Sequence, residues 1–265
     1  MLKIAVAATA PFGADVLERL AAEHDVALLV TRPDRPRGRG RKVAAPAAKE
    51  TARRLGIPVA QPARLDESIE IPADIVVVAA YGLLIPDVLL ERGLWLNVHP
   101  SLLPRWRGAA PVERSLMAGD ERTGVTIHCT TAELDAGPIA AQEAFDVSPD
   151  DDAGAVFAQA AEIAARLIGA VLPEPEFREQ PSEGATYAEK ITAADRELDL
   201  TQPTREIVNH VRALSPHIGA RAVVDGSPLV VWKAREADGG SLELLEVQPE
   251  GRRRMTYDEY MRGRR

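Results

Sequence analysis

Cysteine is almost missing from this chain. Cys129 is the only one in 265 residues, which excludes an intramolecular disulfide and a cysteine-rich metal site and suits a reducing cytoplasm. Metal-ligand spacings are missing too: His24, His99, His128, His210 and His217 form no pattern such as HExxH, so no metal is expected. Gly13 follows Ala10-Pro11-Phe12 where a phosphate-binding turn would sit, yet neither G-x-G-x-x-G nor GxxxxGK[ST] occurs, which argues against a nucleotide cofactor. The apolar start MLKIAVAATAPFG is too short and interrupted for a membrane span and lacks a signal-peptide layout, so no export and no membrane partner are expected. Net positive charge is also lacking. At a formal charge of -8 the chain is not coated for nucleic acid, although this total says nothing about local patches.

What is present is an ordinary globular composition, 46% hydrophobic and 27% charged. The short runs LKIAVAA, DVALLVT and ADIVVVAA alternate with the helical stretches ADVLERLAAE and PAAKETARRLG. Such alternation predicts an α/β, Rossmann-like, doubly wound and mainly parallel sheet with its site beyond the C-terminal strand ends. GVTIHCTT and PIAAQEAFDV read as further strands, and DDAGAVFAQAAEIAARLIGAVL as a helix that closes a first domain over 1–172. The Pro- and Glu-rich segment 173–184 reads as a linker. Beyond it, over 185–265, PTREIVNHVRAL reads as a helix, and GARAVVDG, PLVVWKARE and SLELLEVQ read as strands of a smaller β-rich domain.

The chemistry concentrates in NVHPSLLPRWRGAAP, Asn97 to Pro111, and in LDAG downstream with Asp135. Asn97 and His99 sit two apart at the end of an apolar run, so on a strand both side chains leave by one face. An amide can donate to a developing oxyanion, an imidazole can be donor or acid near neutral pH, and a carboxylate can orient or deprotonate, which together suit addition of an amine to a carbonyl. Alone, Asn-x-His is a weak signal, and an Asp before Ala-Gly is ordinarily a turn former. Cys129 neighbours His128 on a strand, where adjacent side chains point apart, so it is not read as a nucleophile.

NVHPSLLPRWRGAAP resembles the folate-dependent formyltransferases, and SLLPRWRGAAP is similar to the signature of those that act on methionyl-tRNA. The similarity extends from PDRPRGRGRK through AAYGLLIP to ATYAEKI and LEVQPEGRRRM. It implies a catalytic trio of Asn97, His99 and Asp135, with 10-formyltetrahydrofolate as formyl donor and initiator methionyl-tRNA as acceptor. It also implies a folate pocket lined by Tyr81, Gly82, Leu83, Leu84 and Ile85 and by Ser101, Leu102, Leu103 and Pro104. From the residues themselves, Leu83 to Ile85 can equally be core, and Trp106 is read as packing. Arg105 and Arg107 could attract an anionic tail or a phosphate.

TRPDRPRGRGRK gathers Arg32, Arg35, Arg37, Arg39, Arg41 and Lys42 among prolines and glycines that forbid a regular helix. Composition allows either a solvated surface or phosphate contact. The resemblance favours RNA contact by Arg35, Arg37, Arg39, Arg41 and Lys42. Arg252 to Arg254, with Arg262, Arg264 and Arg265, are weaker evidence for it. The resemblance implies an OB-like C-terminal barrel that helps hold tRNA, abbreviated here because WKAREADGG runs almost directly into SLELLEVQPEG. A monomer is expected. The competing expectations are a formyltransferase with another acceptor, a formyltetrahydrofolate hydrolase, or a catalytically feeble RNA-binding protein.

Overall fold

The computed structural model describes residues 1–37 and 42–264. In chain order its elements are β1 (Lys3–Ala8), α1 (Pro11–Glu23), β2 (Asp25–Val30), β3 (Arg35–Arg37), β4 (Lys42–Ala44), α2 (Ala47–Leu55), β5 (Val59–Ala60), β6 (Ile75–Ala79), α3 (Asp87–Leu90), β7 (Leu94–His99) and β8 (Arg107–Gly108). They continue with α4 (Pro111–Met117), β9 (Arg122–Cys129), β10 (Ile139–Asp146), α5 (Ala153–Val171), β11 (Tyr187–Ala188), α6 (Thr204–Leu214), β12 (Ala220–Val224), β13 (Ser227–Glu236), β14 (Leu242–Pro249), β15 (Met255–Thr256) and α7 (Tyr257–Arg262).

The seven-stranded sheet runs β10-β9-β7-β6-β1-β2-β5. Strands β5 to β7 through β2, β1 and β6 pair in parallel, and β9 lies antiparallel to β7. Chain order reverses on either side of β1, and sites in open parallel sheets lie at the carboxyl ends beside such a reversal. Because helices cover such sheets, β1 reads as a continuous Ile-Ala-Val-Ala-Ala run, buried from Ile4 to Ala8. One core joins Ala5, Leu28, Val30, Val76, Val78 and Trp95 to Tyr81, Ile85 and Leu89.

By its contacts the chain divides into two compact units: Met1–Arg107 with Gly124–Ala144 and Ala158–Thr186, and Gly108–Thr123 with Phe145–Phe157 and Tyr187–Arg265. The segment 173–184 lies in the first unit, where Arg178 exchanges backbone hydrogen bonds of 2.7 and 2.9 Å with Ile139. The second unit carries a four-stranded sheet, β12-β13-β14-β15, antiparallel throughout. Its core comprises Val211 and Leu214 of α6 with Ala220, Leu229, Val231 and Val247. Where the resemblance implies an OB-like barrel, the described residues show this four-stranded antiparallel meander, with fewer strands than a full OB fold. Helix α5 is long and apolar enough to cross a membrane by length and composition, but Ala160, Ala161, Ala164 and Ile168 make a buried stripe at helical spacing, as in a core helix.

Gly13 owes its place to packing. A Cβ there would stand 2.2 Å from the Ala79 carbonyl oxygen and 2.9 Å from the Ala8 Cβ, so only hydrogen lets α1 lie this close to β1 and β6. We expect Gly13→Ala to lower stability by roughly 1 to 3 kcal/mol, the usual range for overpacking. Urea unfolding tests this, and an unchanged midpoint would mean that α1 lifts off the sheet without strain.

Candidate active site

The register of β7 on β9 builds the site. Asn97 pairs directly with His128, and His99 with Thr126, so two polar groups from each strand meet on one face at the end of β7. The Asn97 Nδ2 lies 3.0 Å from His128 Nε2 and 3.2 Å from Asp135 Oδ1. Asp135 Oδ2 stands 3.7 Å from His99 Nδ1, while Oδ1 stands 3.6 Å from His128 Nε2. Asn97, His99 and Asp135 are therefore brought together. His128, passed over in the sequence because its neighbours suggested no ligand spacing, completes the cluster.

Carbonyl partners settle the proton positions, because a carbonyl oxygen can only accept. His99 Nε2 donates to the Trp106 carbonyl at 2.7 Å, and His128 Nδ1 donates to the Cys129 carbonyl at 2.9 Å. In its neutral form His128 then accepts at Nε2 from the Asn97 amide. Turning that amide over would set its oxygen against the Asp135 carboxylate, so the nitrogen assignment alone satisfies all partners. Both hydrogens of Asn97 Nδ2 are thus engaged. His99 keeps its Nδ1 lone pair toward Asp135, at a distance longer than a hydrogen bond.

His99 is only 4% exposed. Burial holds its pKa below the ordinary 6.5; Asp135 and the Trp106 carbonyl pull it upward less strongly, and His128 adds a small downward push. The imidazole is neutral at neutral pH. Protonation at Nδ1 would convert the contact with Asp135 into a buried ion pair, so Asp135 stabilises a charge that forms only when His99 takes a proton.

Two left-handed residues shape the surroundings. Trp106 has φ 65°, a conformation that costs a bulky residue about 1 to 3 kcal/mol. It turns the Trp106 carbonyl toward His99, while the Trp106 N–H donates to Thr186 Oγ1 at 2.9 Å. Asp135 has φ 48°, which Asp tolerates better than most residues. Two residues on, Gly137 is obligatory, since a Cβ would lie 1.9 Å from the Cys129 carbonyl oxygen.

The SLLP loop is pinned from inside. Ser101 Oγ donates to the Arg105 carbonyl at 2.7 Å, Thr126 Oγ1 donates to the Ser101 carbonyl at 2.7 Å, and Gln142 Nε2 donates to the Leu103 carbonyl at 2.9 Å. Ser101 and Leu103 are buried, Leu102 and Pro104 half-buried. Tyr81 and Ile85 belong to the core, and burial pushes the Tyr81 phenol up to about 12. Leu83 packs partly against that core, Gly82 adopts φ 74°, and Leu84 is 84% exposed. Arg107 is buried, its guanidinium 2.8 Å from Gln180 Oε1 and 3.6 Å from Glu133, rather than turned to an outside anion. Of the basic run, Arg35 is exposed on β3, which pairs with β4, and Lys49 with Gln61 grips Asp34 at its root. Arg39 and Arg41, with the side chains of Arg37 and Lys42, lie outside the described residues.

Residues 2–172 match the family model described as formyl transferase, and residues 190–241 match that of its C-terminal domain. The chain belongs to the formyl transferase family. This formyl transferase is 36% identical to a methionyl-tRNA formyltransferase of Dechloromonas aromatica, over 99% of the chain and 96% of the relative. It is 39% identical to one of Halorhodospira halophila with the same coverage. Among solved structures it shares the fold of a methionyl-tRNA formyltransferase from Clostridium thermocellum, with TM-score 0.68, 16% identity and 94% and 99% of the two chains covered. An N-formyltransferase from Helicobacter canadensis, solved with folinic acid and dTDP-3-aminofucose, matches with TM-score 0.66, 17% identity and 96% and 98% covered.

The proton assignment is open to direct test. In nitrogen-detected NMR, His99 of this formyl transferase should be the Nε2–H tautomer at neutral pH and should gain its second proton only below 6.5. Asp135→Asn removes the group that pulls this pKa upward, so the midpoint should fall further. A midpoint above 6.5 in the unaltered protein would overturn the assignment.

Proposed function

We propose that this chain transfers the formyl group of 10-formyltetrahydrofolate to the α-amino group of methionyl initiator tRNA. The observation that carries the chemistry is the cluster itself: His99 tied at Nε2 to the Trp106 carbonyl, Asp135 3.7 Å from its Nδ1, and the Asn97 amide 3.2 Å from the same carboxylate. The acceptor rests on the relatives named methionyl-tRNA formyltransferase over nearly the whole chain.

The neutral amine adds to the formyl carbon and the carbonyl electrons move to oxygen. His99 Nδ1 takes the proton lost by the amine, and the resulting imidazolium faces Asp135. The oxyanion takes one Asn97 hydrogen, displacing the longer contact to Asp135 while the bond to His128 keeps the amide aimed. Collapse breaks the bond from the formyl carbon to N10, and His99 returns its proton to that nitrogen. No covalent enzyme intermediate is needed.

The donor binds at the segments Tyr81 to Ile85 and Ser101 to Pro104, where Gly82 allows close backbone approach and Leu84 offers exposed apolar surface. Arg35, Arg37, Arg39, Arg41 and Lys42 contact tRNA phosphates. A charged initiator tRNA as acceptor supports a cytoplasmic location. The enzyme acts as a monomer in this reading.

Purified protein given the donor should formylate aminoacylated initiator tRNA and leave free methionine untouched. His99→Ala should lose roughly two to four powers of ten in turnover while remaining folded. Failure to formylate the charged tRNA, or near-full activity of His99→Ala at saturating donor, would defeat the proposal.

Replacing Arg37, Arg39, Arg41 and Lys42 together by neutral residues should raise KM for charged tRNA. The log-log salt slope should become shallower by roughly one per contact removed, with folate affinity unchanged. Unaltered tRNA kinetics would leave this run as solvated surface.

A further inference from the structure

Asp135 acts through a carboxylate placed by its own backbone, and that backbone is gripped by a residue far along the chain. Gln180 Nε2 donates to the Asp135 carbonyl at 2.9 Å and to the Gly137 carbonyl at 2.8 Å, so both its hydrogens hold the turn that carries the carboxylate. Its Oε1 accepts from Arg107 Nη2 at 2.8 Å, and Arg107 is itself buried, with Glu133 of the same turn 3.6 Å from its Nη1. On the other side, the Cys129 N–H donates to the Pro138 carbonyl at 2.9 Å, and Gly137 presses against the Cys129 carbonyl oxygen, where a Cβ would stand only 1.9 Å away. The turn is thus held between the end of β9 and one side-chain amide.

We propose that Gln180 is a positioning residue for the transfer, setting the distance between the Asp135 carboxylate and His99, an inference that rests on the formyl-transfer reading above. Its three hydrogen bonds all go to protein groups. All serve backbone or the Arg107 anchor, so its loss should affect the proton-handling step rather than substrate binding. The clamp holds a left-handed residue in place: with the Asp135 and Gly137 carbonyls released, the turn should relax and draw the carboxylate away from His99. The contact at stake, Asp135 Oδ2 to His99 Nδ1 at 3.7 Å, lies where a shift of a few tenths of an ångström changes the support given to an imidazolium. The other groups facing that ring are His128 and the Trp106 carbonyl, and Gln180 touches neither.

Two variants isolate the clamp. Gln180→Met keeps length and volume without any donor, and Gln180→Glu keeps an acceptor for Arg107 while losing both donors. In each, kcat should fall by about 10- to 100-fold, in line with the effect of a small misplacement on a reacting pair. KM for donor and for charged tRNA should stay within about threefold of the original. The His99 midpoint, read by NMR without turnover, should move to lower pH, because the displaced carboxylate supports the protonated ring less.

Unchanged kcat, a parallel rise in both KM values, or a fall in melting temperature with an unmoved His99 midpoint would each overturn the positioning role. The NMR readout separates this inference from the reading beneath it. An unaltered protein that transfers no formyl group defeats the formyl-transfer assignment, while the midpoint in Gln180→Met still shows whether Gln180 places Asp135.

Discussion

A mostly enclosed carboxylate, 11% exposed, facing two imidazoles and one amide is the constraint on which the site in the first compact unit depends. With little solvent left to it, Asp135 depends on neighbouring polar groups for its stabilisation. Asn97 donates to it directly, and the two histidine rings stand within 3.7 Å. Each of those partners is in turn held by a carbonyl or by another member of the cluster. The strand register that opposes Asn97 to His128 therefore builds this cluster as much as the side chains do.

The same economy of polar groups explains the unusual backbone nearby. Trp106 and Asp135 both occupy left-handed conformations, one presenting a carbonyl to His99 and the other a carboxylate. Local strain of this kind persists only where the surroundings over-determine it. Here the surroundings are specific: Thr186 on the Trp106 N–H, Thr126 and Gln142 on the SLLP carbonyls, and Gln180 on the turn after β9. Much of the signature segment thus serves to hold a scaffold, and Ser101 and Leu103 contribute through their backbone from buried positions.

In the proposed transfer, neutral His99 also reconciles burial with function. A buried imidazolium would be penalised at rest, whereas a buried neutral imidazole with one nitrogen committed is a base with a defined direction. Burial lowers its affinity for a proton, and Asp135 returns part of that affinity when a proton arrives. The balance between them depends on distance, which makes backbone placement of the carboxylate a quantity worth holding fixed.

Local pattern made much of this legible from residues alone. Strand and helix alternation announced the parallel sheet because its strands are buried on both faces, and the two-residue spacing of Asn97 and His99 placed them on one face because side chains alternate along a strand. The family resemblance added Asp135 to that pair. Three things depended on the chain folding back. His128 joined the site only through antiparallel pairing of β9 with β7, which no local spacing encodes. Arg107 turned inward to Gln180, across 73 positions of sequence. Gln180 itself, in a segment whose composition reads as a linker, became a clamp because Arg178 pairs with Ile139 and brings it beside the Asp135 turn. Period and residue type determine which face a group leaves by; contacts between distant segments determine what it meets there, and hydrogen-bond partners decide which of its atoms can react.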